Sequence, residues 1–122
     1  MKTTPLFPRS KIWLEDAQGN VVFGLGRYRI FEAIQRLGSL SAAAKELHMG
    51  YRAVWARVHA TEERLGQDLL VKKVGGSAGG GSQLTPLAEA LVEHFARIKQ
   101  CVEQDTDTLF EEALGRQLPV KK

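Results

Sequence analysis

The 122-residue sequence has little cysteine and no long apolar runs, and each deficit excludes certain structures and functions. Its single cysteine, Cys101, excludes an intramolecular disulfide and a zinc site built from several cysteines. Because Cys101 has no histidine partner in a recognisable signature, we interpret it as a packing residue. No run of about 18 apolar residues occurs, and the first ten residues lack the apolar segment of a signal peptide. We therefore expect a cytoplasmic protein that does not contact a membrane.

The sequence also lacks the residue patterns that carry catalysis or hold a metal. Its three histidines, His48, His59 and His94, show no metal-ligand spacing, and no paired acids or nucleophile triad accompanies them. Residues 75–82 have the outline of a phosphate-binding loop, but Gly81 occupies the position that requires lysine. The sequence therefore predicts neither an enzyme nor a metal or cofactor site.

Charge is distributed unevenly along the chain. The formal net charge is only +3, but residues 27–73 contain nine basic and five acidic side chains. Over residues 100–119 the balance reverses, with one basic and five acidic side chains. This asymmetry indicates that the middle of the chain, rather than its end, contacts a polyanion.

Apolar spacing and turn residues predict the order of the elements. A small β-hairpin over 11–23 precedes a helix between Gly26 and Gly38, a short alanine-rich helix over 40–47 and a third helix over 51–65. A second hairpin with a glycine-rich tip follows over 69–85, and Thr85-Pro86 then caps a final helix of roughly 25 residues.

This order predicts a mainly α fold with small β-hairpins, namely a winged helix-turn-helix with a long C-terminal helix. We expect residues 1–10 to be a flexible N-terminus, residues 11–114 to form the DNA-binding domain including the long helix, and residues 115–122 to be a tail.

The two helices joined by a short turn have the lengths needed to place one helix in a DNA major groove. Ala43 and Ala44 are small enough for the second helix to cross the third closely. Arg52 can donate two hydrogen bonds to guanine and is our candidate for specificity, whereas Lys72 can only bind phosphate. The residues expected to contact DNA are Ser39, Ser41, Tyr51, Arg52, Trp55, Arg57, Lys72 and Lys73.

Some of these side chains have equally plausible structural roles. Trp55 fits a place in the core as well as a place at the DNA-facing edge, and Arg57 fits an ordinary solvated helix surface as well as a DNA contact. Ser39 and Ser41 offer hydroxyl and N–H groups suited to a phosphate oxygen.

The final helix carries an apolar stripe longer than a small three-helix unit can cover. A partner helix is therefore expected, and a homodimer supplies one. The residues predicted to form this contact are Leu91, Phe95, Ile98 and Val102.

Three segments of the sequence are similar to one known family. In order and spacing, Gly38–Lys45, Gly50–Trp55 and the glycine-rich stretch 75–81 followed by Leu84-Thr85 resemble the N-terminal domain of molybdate-dependent transcriptional regulators, the ModE family. The first segment also resembles the LysR family. Gly50 stands where the ModE family usually has serine, and His48 lies in the interhelical turn, where a left-handed conformation would be strained.

The resemblance implies a dimer, held by the long helix and the N-terminal region, that binds a palindromic operator in double-stranded DNA. Family members that sense molybdate carry further C-terminal oxyanion-binding domains. Since the sequence ends at Lys122, we expect no molybdate sensing by that route.

Two other functions are compatible with the same fold. The chain could be a winged-helix protein-interaction module whose acidic final segment contacts a basic partner or RNA polymerase. It could also be a small-molecule sensor that binds an oxyanion at the dimer interface. The basic face of the third helix favours DNA over the interaction module, and the sequence offers no dedicated pocket motif for a sensor.

Overall fold

The computed structural model describes residues 4–73 and 81–118. Along the chain the elements are β1 (Leu14–Glu15), β2 (Val21–Phe23), α1 (Leu25–Leu37), α2 (Leu40–Glu46), α3 (Tyr51–Leu65), β3 (Leu70–Lys73), β4 (Gly81–Leu84) and α4 (Pro86–Leu114). In this part of the chain, four helices and two antiparallel hairpins confirm the predicted fold class. The predicted glycine-rich tip falls largely on residues 74–80, outside the described residues, as do the two chain ends.

The chain divides into two compact units. One is Trp13–His94, which contains both hairpins and α1 to α3, and the other combines Met1–Ile12 with Phe95–Lys122. Helix α4 begins in the first unit and continues into the second, and its 29 residues exceed the predicted length. Within the described ranges, no helix is both long and apolar enough for a membrane span.

The ends of α1 and α2 follow the capping signals in the sequence. Gly38 ends α1 in the left-handed region, with φ 82°, a conformation that glycine adopts without a Cβ penalty. Ser39 then caps α2, because its Oγ accepts a hydrogen bond of 3.0 Å from the N–H of Ala42. Helix α1 includes Gly26, which the sequence pattern had placed before the helix.

The turn between α2 and α3 is tight and contains the predicted unusual backbone. His48 has φ 56°, the left-handed region expected for this turn, which side chains other than glycine rarely adopt. The N–H of Met49 donates to the carbonyl oxygen of Ala44 at 2.9 Å and closes the turn. Ala43 is 0% and Ala44 is 4% exposed, so both small side chains of α2 are buried.

The second hairpin is the wing, and it is anchored to the end of α1. Strands β3 and β4 pair from Leu70 opposite Leu84 to Lys73 opposite Gly81. The Ser82 N–H donates to the Gly38 carbonyl oxygen at 2.8 Å. A Cβ added at Gly81 would lie 2.7 Å from that same oxygen, so this position accepts only glycine without a backbone shift.

In the unit Trp13–His94, α1, α3 and the first hairpin contribute to the core. The rings of Phe23 and Phe31 are both buried, with centroids 6.1 Å apart. Thr61 is fully buried, and its hydroxyl accepts a hydrogen bond of 2.8 Å from Nε of Arg27. Burial lowers the pKa of Arg27 from its usual value, and the nearby charges of Arg64 and Arg57 lower it further.

In the other unit, part of the segment expected to be flexible packs against the second half of α4. Pro8 is buried. Together with Arg9 and Ser10 it lines a cleft of about 280 Å³ whose other wall is formed by Glu103 and Asp107. Residues 8–10 therefore have a defined place beside the helix.

Candidate nucleic-acid interface

Helix α3 buries one side and exposes the other. Val54 and Val58 are 0% and 1% exposed and pack into the core. Tyr51 and Trp55 are 50% and 48% exposed, so Trp55 lies at the surface and not in the core. Large aromatic side chains left half-exposed on one helix face are typical of a binding surface.

The exposed face of α3 forms one wall of a groove that we call the recognition groove. Its other walls are the start of α2 and the wing strands, and its volume is about 410 Å³. The groove is lined by Ser39, Leu40, Ser41, Tyr51, Trp55, Val58, His59, Glu62, Leu70, Val71, Lys72, Gly81 and Ser82. Five of the eight predicted DNA contacts therefore meet in one place, namely Ser39, Ser41, Tyr51, Trp55 and Lys72.

Arg52 and Arg57 of α3 lie on different sides of the helix. Arg52 precedes His59 by seven residues, or nearly two turns, so it shares the stripe that borders the groove. Arg57 lies on the opposite side, where its charge acts on Arg27 of α1. Both side chains are exposed. Arg52 is therefore the better placed of the two to contact DNA together with the groove.

The two wing lysines differ in their place relative to the groove. Lys72 pairs with Ser82 and lines the recognition groove, whereas Lys73 pairs with Gly81 and does not. The lining on β3 ends at Lys72. The sequence alone does not say which of the two lysines lines the groove.

Sequence reasoning assigned His59 and Ser82 no role in binding, yet both line the groove. His59 follows Trp55 by four residues, and the two ring centroids are 4.0 Å apart. This spacing alone could have placed His59 on the same face of α3. Ser82 could be assigned to the groove only from the register of the wing strands, which places it opposite Lys72.

The residues predicted for dimerisation differ in their solvent exposure. Ile98 is 52% exposed, and Leu91 and Val102 are half-buried. Phe95 is only 5% exposed in the single chain, so little of its ring is available to a partner. Cys101 is exposed and does not pack within the chain, contrary to expectation.

Comparison with known proteins places these features in a family. Residues 25–89 match the family described as "Bacterial regulatory helix-turn-helix protein, lysR family". The chain is 40% identical over 76 residues to the molybdenum-pterin-binding protein MopB of Rhodobacter capsulatus, covering 62% of this chain and 28% of MopB. It is 31% identical over 88 residues to the transcriptional regulator ModE of Haemophilus influenzae, covering 72% of this chain and 34% of ModE.

These matches confirm the resemblance to molybdate-dependent regulators. The aligned region spans about a third of the length of those curated relatives. Among solved structures, the CbnR DNA-binding domain in complex with DNA is 27% identical, with a TM-score of 0.56 and coverage of 72% of this chain and 95% of that chain. The BenM DNA-binding domain bound to DNA shares the fold at 22% identity, with a TM-score of 0.54 and coverage of 72% of this chain and 96% of that chain.

Proposed function

Because this chain belongs to the lysR family of bacterial regulatory helix-turn-helix proteins, we propose that it is a sequence-specific, double-stranded DNA-binding regulator of transcription. The recognition groove is the observation that carries the proposal. It combines the exposed aromatic face of α3 with hydroxyls of α2 and a lysine of the wing, all within one surface. A surface of this kind contacts bases with the helix and phosphates with its rim.

In the proposed complex, α3 enters the major groove with its N-terminal turn near the base edges. Arg52 donates to a guanine edge, and Tyr51 and Trp55 make apolar contacts beside it. The Ser41 hydroxyl and the Lys72 ammonium group bind phosphate oxygens on either side. The Oγ of Ser39 already accepts from the N–H of Ala42, so its own O–H is the group left to donate.

We further propose that the chain acts in the cytoplasm as a homodimer on a palindromic operator. Helix α4 continues well beyond the winged unit and exposes apolar side chains that a second copy would cover. Ile98 is the most exposed of the predicted contact residues, with Leu91 and Val102 beside it. Two recognition helices related by a two-fold axis would read two half-sites about one helical turn apart.

The test is selection of bound sequences from random duplex DNA. We expect enrichment of an inverted repeat, because a symmetric dimer contacts the same sequence twice. A parallel selection with molybdate added shows whether DNA binding by this chain responds to a compound of molybdenum, the element in the name of its relative MopB. An unenriched pool would contradict sequence-specific binding, and a single unrepeated half-site would contradict the dimer.

A protein-interaction module is the competing assignment. The acidic side chains on the second half of α4 would suit a basic partner or RNA polymerase. The ammonium group of Lys72 in the recognition groove, and the exposed guanidinium of Arg52 on the neighbouring stripe of α3, favour a polyanion at this surface instead.

A further inference from the structure

Three side chains of α3 form the wall between two clefts. On one side is the recognition groove, and on the other is a wider cleft of about 890 Å³ formed by the end of α3, residues 66–68 and the start of α4. Trp55, His59 and Glu62 line both. Their spacing of four and three residues stacks them along one face of the helix.

Each of the three side chains contacts the next. The imidazole of His59 lies against the indole of Trp55, with ring centroids 4.0 Å apart and an interplanar angle of 50°. On its other side, Nδ1 of His59 lies 3.1 Å from Oε1 of Glu62. The imidazole is therefore held between an aromatic face and a carboxylate.

The carboxylate at the end of this row is itself fixed by the wing. Oε2 of Glu62 accepts hydrogen bonds from the backbone N–H groups of Leu69 and Leu70, at 2.8 and 3.2 Å. These amides lead into β3, and Leu69 is fully buried. The Glu62 side chain is 13% exposed, so these hydrogen bonds are largely shielded from water.

We infer that Glu62 and His59 are positioning residues that set the Trp55 ring in the recognition groove and fix the base of the wing relative to α3. This rests on the proposed function, since the positioned ring and wing are the DNA-contacting parts. One carboxylate contacts both the wing backbone and, through the imidazole, the aromatic side chain of the groove. The two walls of the groove therefore keep a defined separation before any DNA arrives.

The first measurement follows the fluorescence of Trp55 alone. A Trp13→Phe background leaves Trp55 as the only tryptophan of the two in the sequence. In this background His59→Ala, His59→Phe, Glu62→Ala and the matched control Glu63→Ala are compared. Glu63 is the neighbouring glutamate on the same helix, and it lines the wider cleft but not the recognition groove.

Acrylamide quenching in the absence of DNA reports the Trp55 ring directly. We expect His59→Ala to raise the quenching constant about twofold, because the imidazole lies against the indole with ring centroids 4.0 Å apart and shields part of one face. His59→Phe should restore protection, since a ring again covers that face. An unchanged quenching constant in His59→Ala would overturn the positioning of Trp55.

Hydrogen exchange of the Leu69 and Leu70 amides reports the wing. Glu62→Ala should speed their exchange about tenfold, the equivalent of one lost charge-assisted hydrogen bond. Glu63→Ala should leave both amides and Trp55 as they are in the parent. If Glu62→Ala and Glu63→Ala behave alike, Glu62 does not fix the wing and the inference fails.

Binding to the selected duplex completes the test. We expect His59→Ala and Glu62→Ala each to weaken it about tenfold, and Glu63→Ala to leave it unchanged. If the parent protein binds no duplex, the proposed function fails, while quenching and exchange still decide whether the side chains hold their positions. Altered quenching and exchange with unaltered affinity would overturn their part in DNA binding.

Discussion

Arg52 and Lys72 occupy different parts of the proposed interface, and single substitutions should separate their roles. Arg52→Ala removes a bidentate donor to a base edge, so we expect a loss of about 1–3 kcal/mol in discrimination between the selected site and its single base-pair variants. Arg57→Ala, which removes the same charge from the opposite side of α3, should leave discrimination intact. Equal weakening of all duplexes by Arg52→Ala would refute its role.

Lys72→Ala should act on every duplex alike. Because a phosphate contact carries no sequence information, specific and non-specific affinity should fall together, and the slope of log K against log salt should decrease by about 1. Lys73→Ala is the matched control, since Lys73 does not line the groove. Titrations by fluorescence anisotropy at several salt concentrations measure both quantities. An unchanged slope in Lys72→Ala would argue against a phosphate contact.

For single residues, the sequence predicted which side chains are exposed better than it predicted which side chains they contact. Tyr51, Arg52 and Lys72, which were predicted to contact DNA, are all exposed. Helical spacing could not decide for Trp55, because a half-buried aromatic on α3 fits both a core and a surface pattern. Phe95 was assigned to a dimer contact by the same periodicity, which does not distinguish burial within the chain from burial by a partner.

At the scale of the elements, the position of the wing depends on the missing Cβ of Gly81. Gly81→Ala would place a Cβ 2.7 Å from the Gly38 carbonyl oxygen, so the strand must shift and its hydrogen bond from Ser82 to Gly38 must weaken. We expect a loss of about 1–3 kcal/mol in the free energy of unfolding, together with weaker DNA binding. Chemical denaturation measures the first.

Gly26→Ala is the control for that substitution. Gly26 lies in α1 with nothing within 4 Å of an added Cβ, so alanine there should leave stability unchanged or raise it by up to about 1 kcal/mol. A Gly81→Ala protein as stable as the parent would show that the wing does not need its close approach to Gly38.

The order of elements followed from the sequence because the residues that cap or end a helix lie at the helix ends themselves. Gly38, Ser39, Gly66 and Thr85 end or cap helices where glycine, serine and threonine should. The anchoring of the wing on Gly38 did not follow, because it joins residues more than 40 positions apart and depends on a missing Cβ rather than on a side chain.

For the whole molecule, the dimer is the first property to test. Ile98→Glu places a charge on the most exposed of the predicted contact residues, so we expect the dimer at micromolar concentration to become a monomer. Gln100→Glu adds the same charge at another exposed position of α4 and should leave the dimer intact. Light scattering measures the mass. A monomeric parent protein would contradict the proposed assembly.

The assembly of the groove is a property of the complete winged unit. Its walls come from α2, α3 and the wing, whose residues are separated by tens of positions in the sequence. The motifs predicted the family and the fold class, because each motif is a local signature. They did not predict which side chains face one another, because that depends on the crossing of α2 with α3 and on the register of β3 with β4.

Competitive titration of a labelled selected duplex is the most direct test of sequence-specific DNA binding by this protein. The protein is bound to the labelled site at a fixed salt concentration, and unlabelled selected or scrambled duplex is added as competitor. We expect the selected duplex to compete at least about a thousandfold better than the scrambled one, which is the lower end of the range for specific DNA-binding proteins. Equal competition by both duplexes would show that the protein binds DNA only as a polyanion and would contradict sequence-specific recognition.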